Sequence, residues 1–197
     1  MTFKPNLLSL IILLIICASC RKNENHEFQT VDFEAFQVDL SKTWRVVDLK
    51  GIDSHIKAIV TEDGDTLQFD YGFYSGALEE ESLKVYPANL RKIFIERGRD
   101  TTGFIFLDKE IVSSSDLEPY RKQRLENKII DGFRASIMTP KKPGTGITGV
   151  YFDSLGNGPI GNIQLRFSGN NLKPKNSVLF LKSINTIRIS RDTTTSK

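Results

Sequence analysis

The chain is expected to fold as an α+β domain, mostly antiparallel β-sheet with a C-terminal helix packed on it. Three observations point there. Apolar and polar residues alternate over several short segments, Asp63-Gly64 joins two of them, and the stretch after Pro174 has helical spacing instead. From Phe28 to Leu40 the apolar residues Val31, Phe33, Phe36, Val38 and Leu40 give an extended pattern. It turns at Ser41-Lys42 into Trp44-Arg45-Val46-Val47. Ile56–Val60 and Thr66–Tyr71 flank Glu62-Asp63-Gly64-Asp65, and Asp-Gly accepts the positive φ angles of a tight hairpin turn. Leu83 to Pro87 fits no single period. Asn89–Ile95 and Gly103–Leu107, either side of Arg97-Gly98-Arg99-Asp100, predict a second hairpin.

Ser113-Ser114-Ser115-Asp116 ahead of Leu117–Leu125 offers a cap, an acidic first turn and a basic last turn. That predicts a short surface helix with a thin apolar face of Leu117, Tyr120 and Leu125. Phe133, Ala135 and Ile137 alternate with Arg134, Ser136 and Met138 as in a strand, and residues 139–146 are a loop of turn residues. Ile147–Leu155 and Ile160–Phe167 read as strands joined by Gly156-Asn157-Gly158-Pro159. The terminal helix starts near Lys173-Pro174, because proline lacks the N–H that a first turn leaves unpaired. Val178, Leu181 and Ile184, widened by Leu179, Phe180 and Ile187, predict its buried stripe. Internal repeats are absent.

The N-terminus has a different character. Lys4 precedes an apolar run, Leu7–Ser19, and Cys20 follows. Thirteen residues fall short of the roughly 20 that span a bilayer as a helix, so the run suits a removable signal. Cys17-Ala18-Ser19-Cys20 resembles the lipobox of bacterial lipoproteins, with Cys17 where an aliphatic residue is usual. Cys17-Ala18-Ser19 also satisfies the small-x-small rule of ordinary signal peptidase, which would cut the same bond and leave Cys20 unacylated. The resemblance implies removal of residues 1–19 and a diacylglycerol and an acylated amine on Cys20. Several acyl chains together make a durable anchor where one is marginal. It also implies the outer membrane, facing the periplasm or the outside, since position 21 is arginine rather than aspartate. Residues 20–30 then form a polar tether, 31–189 one globular domain and 190–197 a frayed tail.

Loss of residues 1–19 leaves 178, enough for one domain with its own core. A hydrophobic share of 39% and a charged share of 26% place it among folded rather than disordered chains. The net charge of +3 becomes +2 without Lys4, too weak an excess to call for a particular nucleic-acid or membrane partner. Of the two cysteines one is discarded and one is taken by lipid, so no disulfide, thiolate metal site or cysteine nucleophile is expected in the domain. No cofactor is expected. Phe133 to Ile187, with Gly146-Ile147-Thr148-Gly149-Val150-Tyr151-Phe152 and Ser183-Ile184-Asn185-Thr186-Ile187, resembles the closing section of PsbP-like proteins. That resemblance implies an α/β/α sandwich and brings no metal ligands with it.

Candidate sites are few. His26 lies in the tether, and His55 follows Asp53 and Ser54. With Ser54 or Ser75 they would make a hydrolytic set, but no Gly-x-Ser-x-Gly elbow occurs, and His55 is expected in a turn or on the surface. Glu62–Asp65 lacks the spaced third ligand and distal glutamate of a calcium loop and reads as turn chemistry. Glu79-Glu80-Glu81 reads as a solvated face. Gly144-Thr145-Gly146 and Gly156-Asn157-Gly158 lack the endings of phosphate cradles, and Lys141, Lys142, Lys173 and Lys175 are scattered. The densest aromatic segment, Phe69–Gly76, makes Tyr71, Phe73 and Tyr74 the candidate binding residues.

The function expected is that of a lipid-anchored envelope protein, a non-enzymatic binding or assembly module. Its partners would be the membrane, through the anchor, and a protein or glycan. One rival is an envelope hydrolase using carboxylates or serine on a glycan or peptide. The other is a membrane-held immunity or inhibitor protein. Carboxylates with raised pKa in a pocket would favour the hydrolase, an exposed aromatic patch the binding module, and an acidic groove the inhibitor.

Overall fold

The computed structural model describes residues 27–49, 55–109 and 113–191. The signal run, Cys20, Asp53 and Ser54 lie outside the described residues. Strand β1 (Phe28–Asp32) pairs antiparallel with β2 (Phe36–Ser41). The turn between them puts Glu34 at φ 68°, with its N–H donating to Asp32 Oδ1 at 2.8 Å. Next come β3 (Arg45–Asp48), β4 (His55–Val60), β5 (Thr66–Gly72), β6 (Lys84–Pro87), helix α1 (Leu90–Glu96) and β7 (Phe104–Leu107). A 3₁₀ turn over Ser114–Tyr120 leads to β8 (Gln123–Ile130), β9 (Phe133–Pro140), β10 (Ile147–Gly158), β11 (Gly161–Asn170), α2 (Pro174–Ile184) and β12 (Arg188–Ile189).

The main sheet has seven strands in the order β3-β4-β5-β11-β10-β9-β8, all neighbours antiparallel. A second sheet, β1-β2-β12, shares the core with it, and α2 packs on both β10 and β2. Phe33, Phe36, Phe69, Phe167 and Phe180 form a continuous aromatic chain through this core. Successive ring centroids stand 4.6 to 6.2 Å apart, mostly edge-to-face. The architecture is α+β, mostly antiparallel, with the C-terminal helix on the sheet. Of the two helical layers an α/β/α sandwich needs, the described residues place one, α2, beside the small sheet. Helix α1 packs on β6 instead.

The Asp-Gly hairpin forms as expected, with Gly64 at φ 90°, and it does more than turn. Asn176, buried in the first turn of α2, donates its amide to Asp63 Oδ1 at 2.6 Å and to Asp65 Oδ2 at 2.7 Å. The Lys173 N–H also donates to Asp65 Oδ2 at 2.6 Å, so the hairpin supplies the acceptors that this helix N-terminus needs. Asp63 is held down at about 2, chiefly by the Asn176 amide and then by the Thr61 hydroxyl.

Several expectations are corrected. Strand β1 begins at Phe28, where the alternating pattern begins, within the stretch assigned to the tether, because β1 has β2 to pair with. Asn89–Ile95 is not a hairpin arm: Leu90–Glu96 is helical, and β7 pairs in parallel with β6. Leu90 and Phe94 lie one turn apart, and Phe94 stacks edge-on to Tyr86 at 5.0 Å, a contact that only a helix between the strands provides. The helix expected over 117–125 shrinks to a 3₁₀ turn containing Pro119, and its capping box joins Ser113 to Asp116. Leu125 belongs instead to edge strand β8. Strands β10 and β11 run on through Gly156-Asn157-Gly158 and turn at Pro159-Ile160, with a register shift between Phe152 and Gly156. The buried stripe of α2 is Asn176, Leu179, Phe180, Ser183 and Ile184, which leaves Val178 exposed and Leu181 half-buried.

Candidate functional site

One face of the main sheet covers the core, and the other carries a polar row. Strand register aligns Asn127, Ser136, Tyr151, Arg166, Asp70 and Ile56 across β8, β9, β10, β11, β5 and β4. Because side chains alternate along a strand, these residues point away from Phe69, Leu165, Phe167, Val150 and Phe152. Gln68 and Ser168 flank Asp70 and Arg166 on the same face, and these side chains line an open trough of about 530 Å³. Arg166 Nε donates to Ser168 Oγ at 3.3 Å. Asp70 Oδ1 is buried and has no hydrogen-bond partner. The trough thus sets an unsatisfied acceptor beside a guanidinium on the neighbouring strand. A ligand with hydroxyl or amide donors would satisfy the first, and one with acceptors the second.

The segment after β5 crosses toward the far edge of this face. Ser75 is buried and donates Oγ to the Asp70 main-chain oxygen at 2.6 Å. Leu78 is buried and lines a second hollow with Gln123 and Met138. Glu80 reaches the Lys122 N–H and stands 3.7 Å from Arg121. One of the three acidic residues thus has a specific job, closing the segment onto the entry to β8.

The aromatic residues expected to bind are split up by the fold. Tyr71 packs against the core and Phe73 lies against Gly158, where a Cβ would come within 2.3 Å of its ring. Only Tyr74 stands free, at 71% exposed. His55 is exposed at the start of β4, across from Tyr71. Ser75 is committed to Asp70, so it does not join His55. Among the described residues no group of three or more His, Cys, Asp or Glu side chains could hold a metal. No described helix is long and apolar enough to cross a membrane.

A different aromatic cluster appears on the β6-α1-β7 unit. Tyr86, Phe94, Phe104 and Phe106 pack with centroids 4.8 to 6.3 Å apart, and none of them is fully buried. Cations sit over the rings: Arg99 is 4.8 Å from the Phe94 centroid, Lys84 5.6 Å from Phe104 and Arg91 5.8 Å from Phe106. Sequence reading missed this cluster because its rings come from three elements. The recurrence of Arg and Lys between Phe and Ile over residues 84–107 was the available signal.

The displaced carboxylates bear on chemistry. Asp63, Glu118, Asp32, Asp100 and Glu27 are all lowered, by the Asn176 amide, Lys141, Gln37, the Thr102 N–H and Lys42 respectively. A lowered carboxyl is ionised at neutral pH and makes a poor proton donor. Tyr151 in the polar row is raised, by burial and then by Asp153, so it stays neutral and can donate its hydroxyl hydrogen. No protein-family model, curated protein or solved structure matches the chain.

Proposed function

We propose that the chain is a lipid-anchored protein of the bacterial envelope whose domain binds another macromolecule rather than transforming one. The observation that carries the anchor is Cys20, placed directly after the short apolar run Leu7–Ser19. Binding is supported by the open trough, where Asp70 and Arg166 stand side by side with Tyr151 next in the row. Such a surface suits the alternating donors and acceptors of a glycan or an extended peptide. The outer membrane is the membrane proposed, on the strength of Arg21.

The test is to express the full-length chain with and without Cys20→Ser and to weigh its N-terminal peptide by mass spectrometry. A peptide starting at Cys20 and carrying acyl chains, together with loss of the Cys20→Ser variant from washed membranes, is the expected result. An unmodified thiol at a processed N-terminus overturns the anchor, and so does a Cys20→Ser protein that has lost residues 1–19 yet stays with the membrane through a 0.5 M salt wash. Turnover of an envelope polymer by the purified protein, lost on substitution of one carboxylate, overturns the binding half.

A further inference from the structure

We propose that the β6-α1-β7 unit is a membrane-facing element that seats on an anionic phospholipid surface. Its basic side chains would meet the headgroup phosphates, and Ile95, flanked by Arg91 and Lys92, would enter between them. This deepens the anchored-protein reading, on which it rests only for bringing a bilayer near.

The unit stands apart in the fold. Its two strands pair only with each other among the described strands, and α1 has no buried residue. Helix α1 fully buries none of its seven residues: Phe94 packs within the unit, while Ile93 and Ile95, two residues apart, lie on nearly opposite sides, and only Ile95 falls between cations. Ile95 is 58% exposed and Ile93 39% exposed. Ile95 lies one turn beyond Arg91 and Lys92, so it projects between two cations rather than onto the aromatic cluster. Leu90 and Phe94 take the opposite side of the helix, toward Tyr86.

Charge settles which surface fits. Residues 84–107 contain Lys84, Arg91, Lys92, Arg97 and Arg99 against Glu96 and Asp100, a net +3. The chain from residue 20 carries +2 in all, so the rest of it is at −1. The basic excess therefore falls on this one small unit, with Glu81 and Asp108 at its margins. The three cations over Phe94, Phe104 and Phe106 are held in place by the rings, so they present charge without being tied up in ion pairs with the body. A branched aliphatic tip set between cations, on a helix whose other side packs on half-buried rings, is the pattern of an interfacial element rather than of a protein-docking groove. Nucleic acid and acidic glycans share the charge but offer nothing to Ile95.

The test uses the full-length lipoprotein reconstituted into vesicles. Ile95→Cys carries an environment-sensitive fluorophore, with Ser154→Cys labelled as a control on the body. Phosphatidylcholine vesicles are compared with vesicles containing one-third phosphatidylglycerol. The expected result is a blue shift at position 95 on the anionic vesicles alone, reversed by 0.5 M salt, with position 154 silent. Lys92→Glu with Arg97→Glu should cut the shifted fraction about tenfold, and Trp44 fluorescence reports that this variant is folded. No shift on either vesicle overturns the proposal, and so does an equal shift on both. A shift induced equally by a soluble polyanion such as heparin also overturns it, in favour of an acidic polymer. Mass spectrometry of Cys20 in the same sample separates failure of the anchor from failure of this surface. If the thiol is free, the labelled variants carrying Cys20→Ser, added from outside to the same vesicles, still test position 95.

Discussion

Replacing Asn176 should separate the C-terminal helix from the Asp-Gly hairpin, and the size of the effect follows from the contacts. Its side chain is 1% exposed, and its amide reaches Asp63, Asp65 and, at 3.3 Å, the Thr61 hydroxyl. A hydrogen bond to a charged group contributes about 1.5–3 kcal/mol net. Two such bonds share one donor nitrogen, and the carboxylates can turn partly to water, so Asn176→Ala should cost about 2–3 kcal/mol rather than the full sum. For a domain of this size that is about 4–12 °C in Tm. Trp44 is the only tryptophan and is buried between the sheets, so its emission in urea reports the global transition.

Asn176→Asp sharpens the test through its pH dependence. In the native protein the folded pKa of Asp63 is depressed to about 2 from 3.8, so its contribution is present above pH 4 and lost as pH falls toward 2. Asp63 is 36% exposed, and solvent screening limits that contribution to about 1 kcal/mol. In Asn176→Asp a third carboxylate is buried against Asp63 and Asp65, which raises its folded pKa. Its penalty is therefore complete at neutral pH and is relieved as pH falls through that raised value. The native protein loses stability on acidification below pH 4, while this variant recovers some from pH 7 downward. Parallel pH profiles for the two, or an Asn176→Ala loss below about 0.5 kcal/mol, would refute the latch.

Two further outcomes follow from the same geometry. Gly149→Ala places a Cβ 2.6 Å from Ser168 Cβ and 2.7 Å from the Phe167 main-chain oxygen, so β10 and β11 must separate; a loss of about 1–3 kcal/mol in urea unfolding is expected. Asp70→Asn removes the charge from a carboxylate whose buried Oδ1 bonds to nothing, so the urea midpoint should hold or rise, while ligand binding at the trough is lost.

Local chemistry made part of the fold legible in advance. The hairpin at Asp63-Gly64, the strands from Phe133 to Phe167 and the proline-started helix all depend on signals that lie within each element. What stayed hidden depends on distant partners. Lys84–Pro87 has no strong pattern because its ladder is parallel and its partner lies beyond a helix, at Phe104–Leu107. Gln123–Ile130 looks helical at its start because an edge strand keeps polar residues on both sides, and no inward stripe marks it. The stripe of α2 was misread by one position for a related reason. Its buried face includes Asn176 and Ser183, polar residues paid for by Asp63, Asp65 and the Leu179 carbonyl, so hydrophobicity alone pointed to Val178.

The candidate site was hidden more deeply than the fold. Asp70 and Arg166 are 96 residues apart, and only the β5–β11 register sets them side by side. The trough does not come from a motif, because a sheet face collects one residue in two from each strand. Averaging over the chain hid the second surface in the same way. A net charge of +3 over 197 residues says nothing of how the cations are distributed. Once the chain is folded, five cations and the exposed Ile95 fall on a 24-residue excursion whose strands pair only with each other among the described strands. Charge density, not net charge, is what a phosphate surface responds to, because screening confines each interaction to about 8–10 Å. A weakly basic protein can therefore present a strongly basic face.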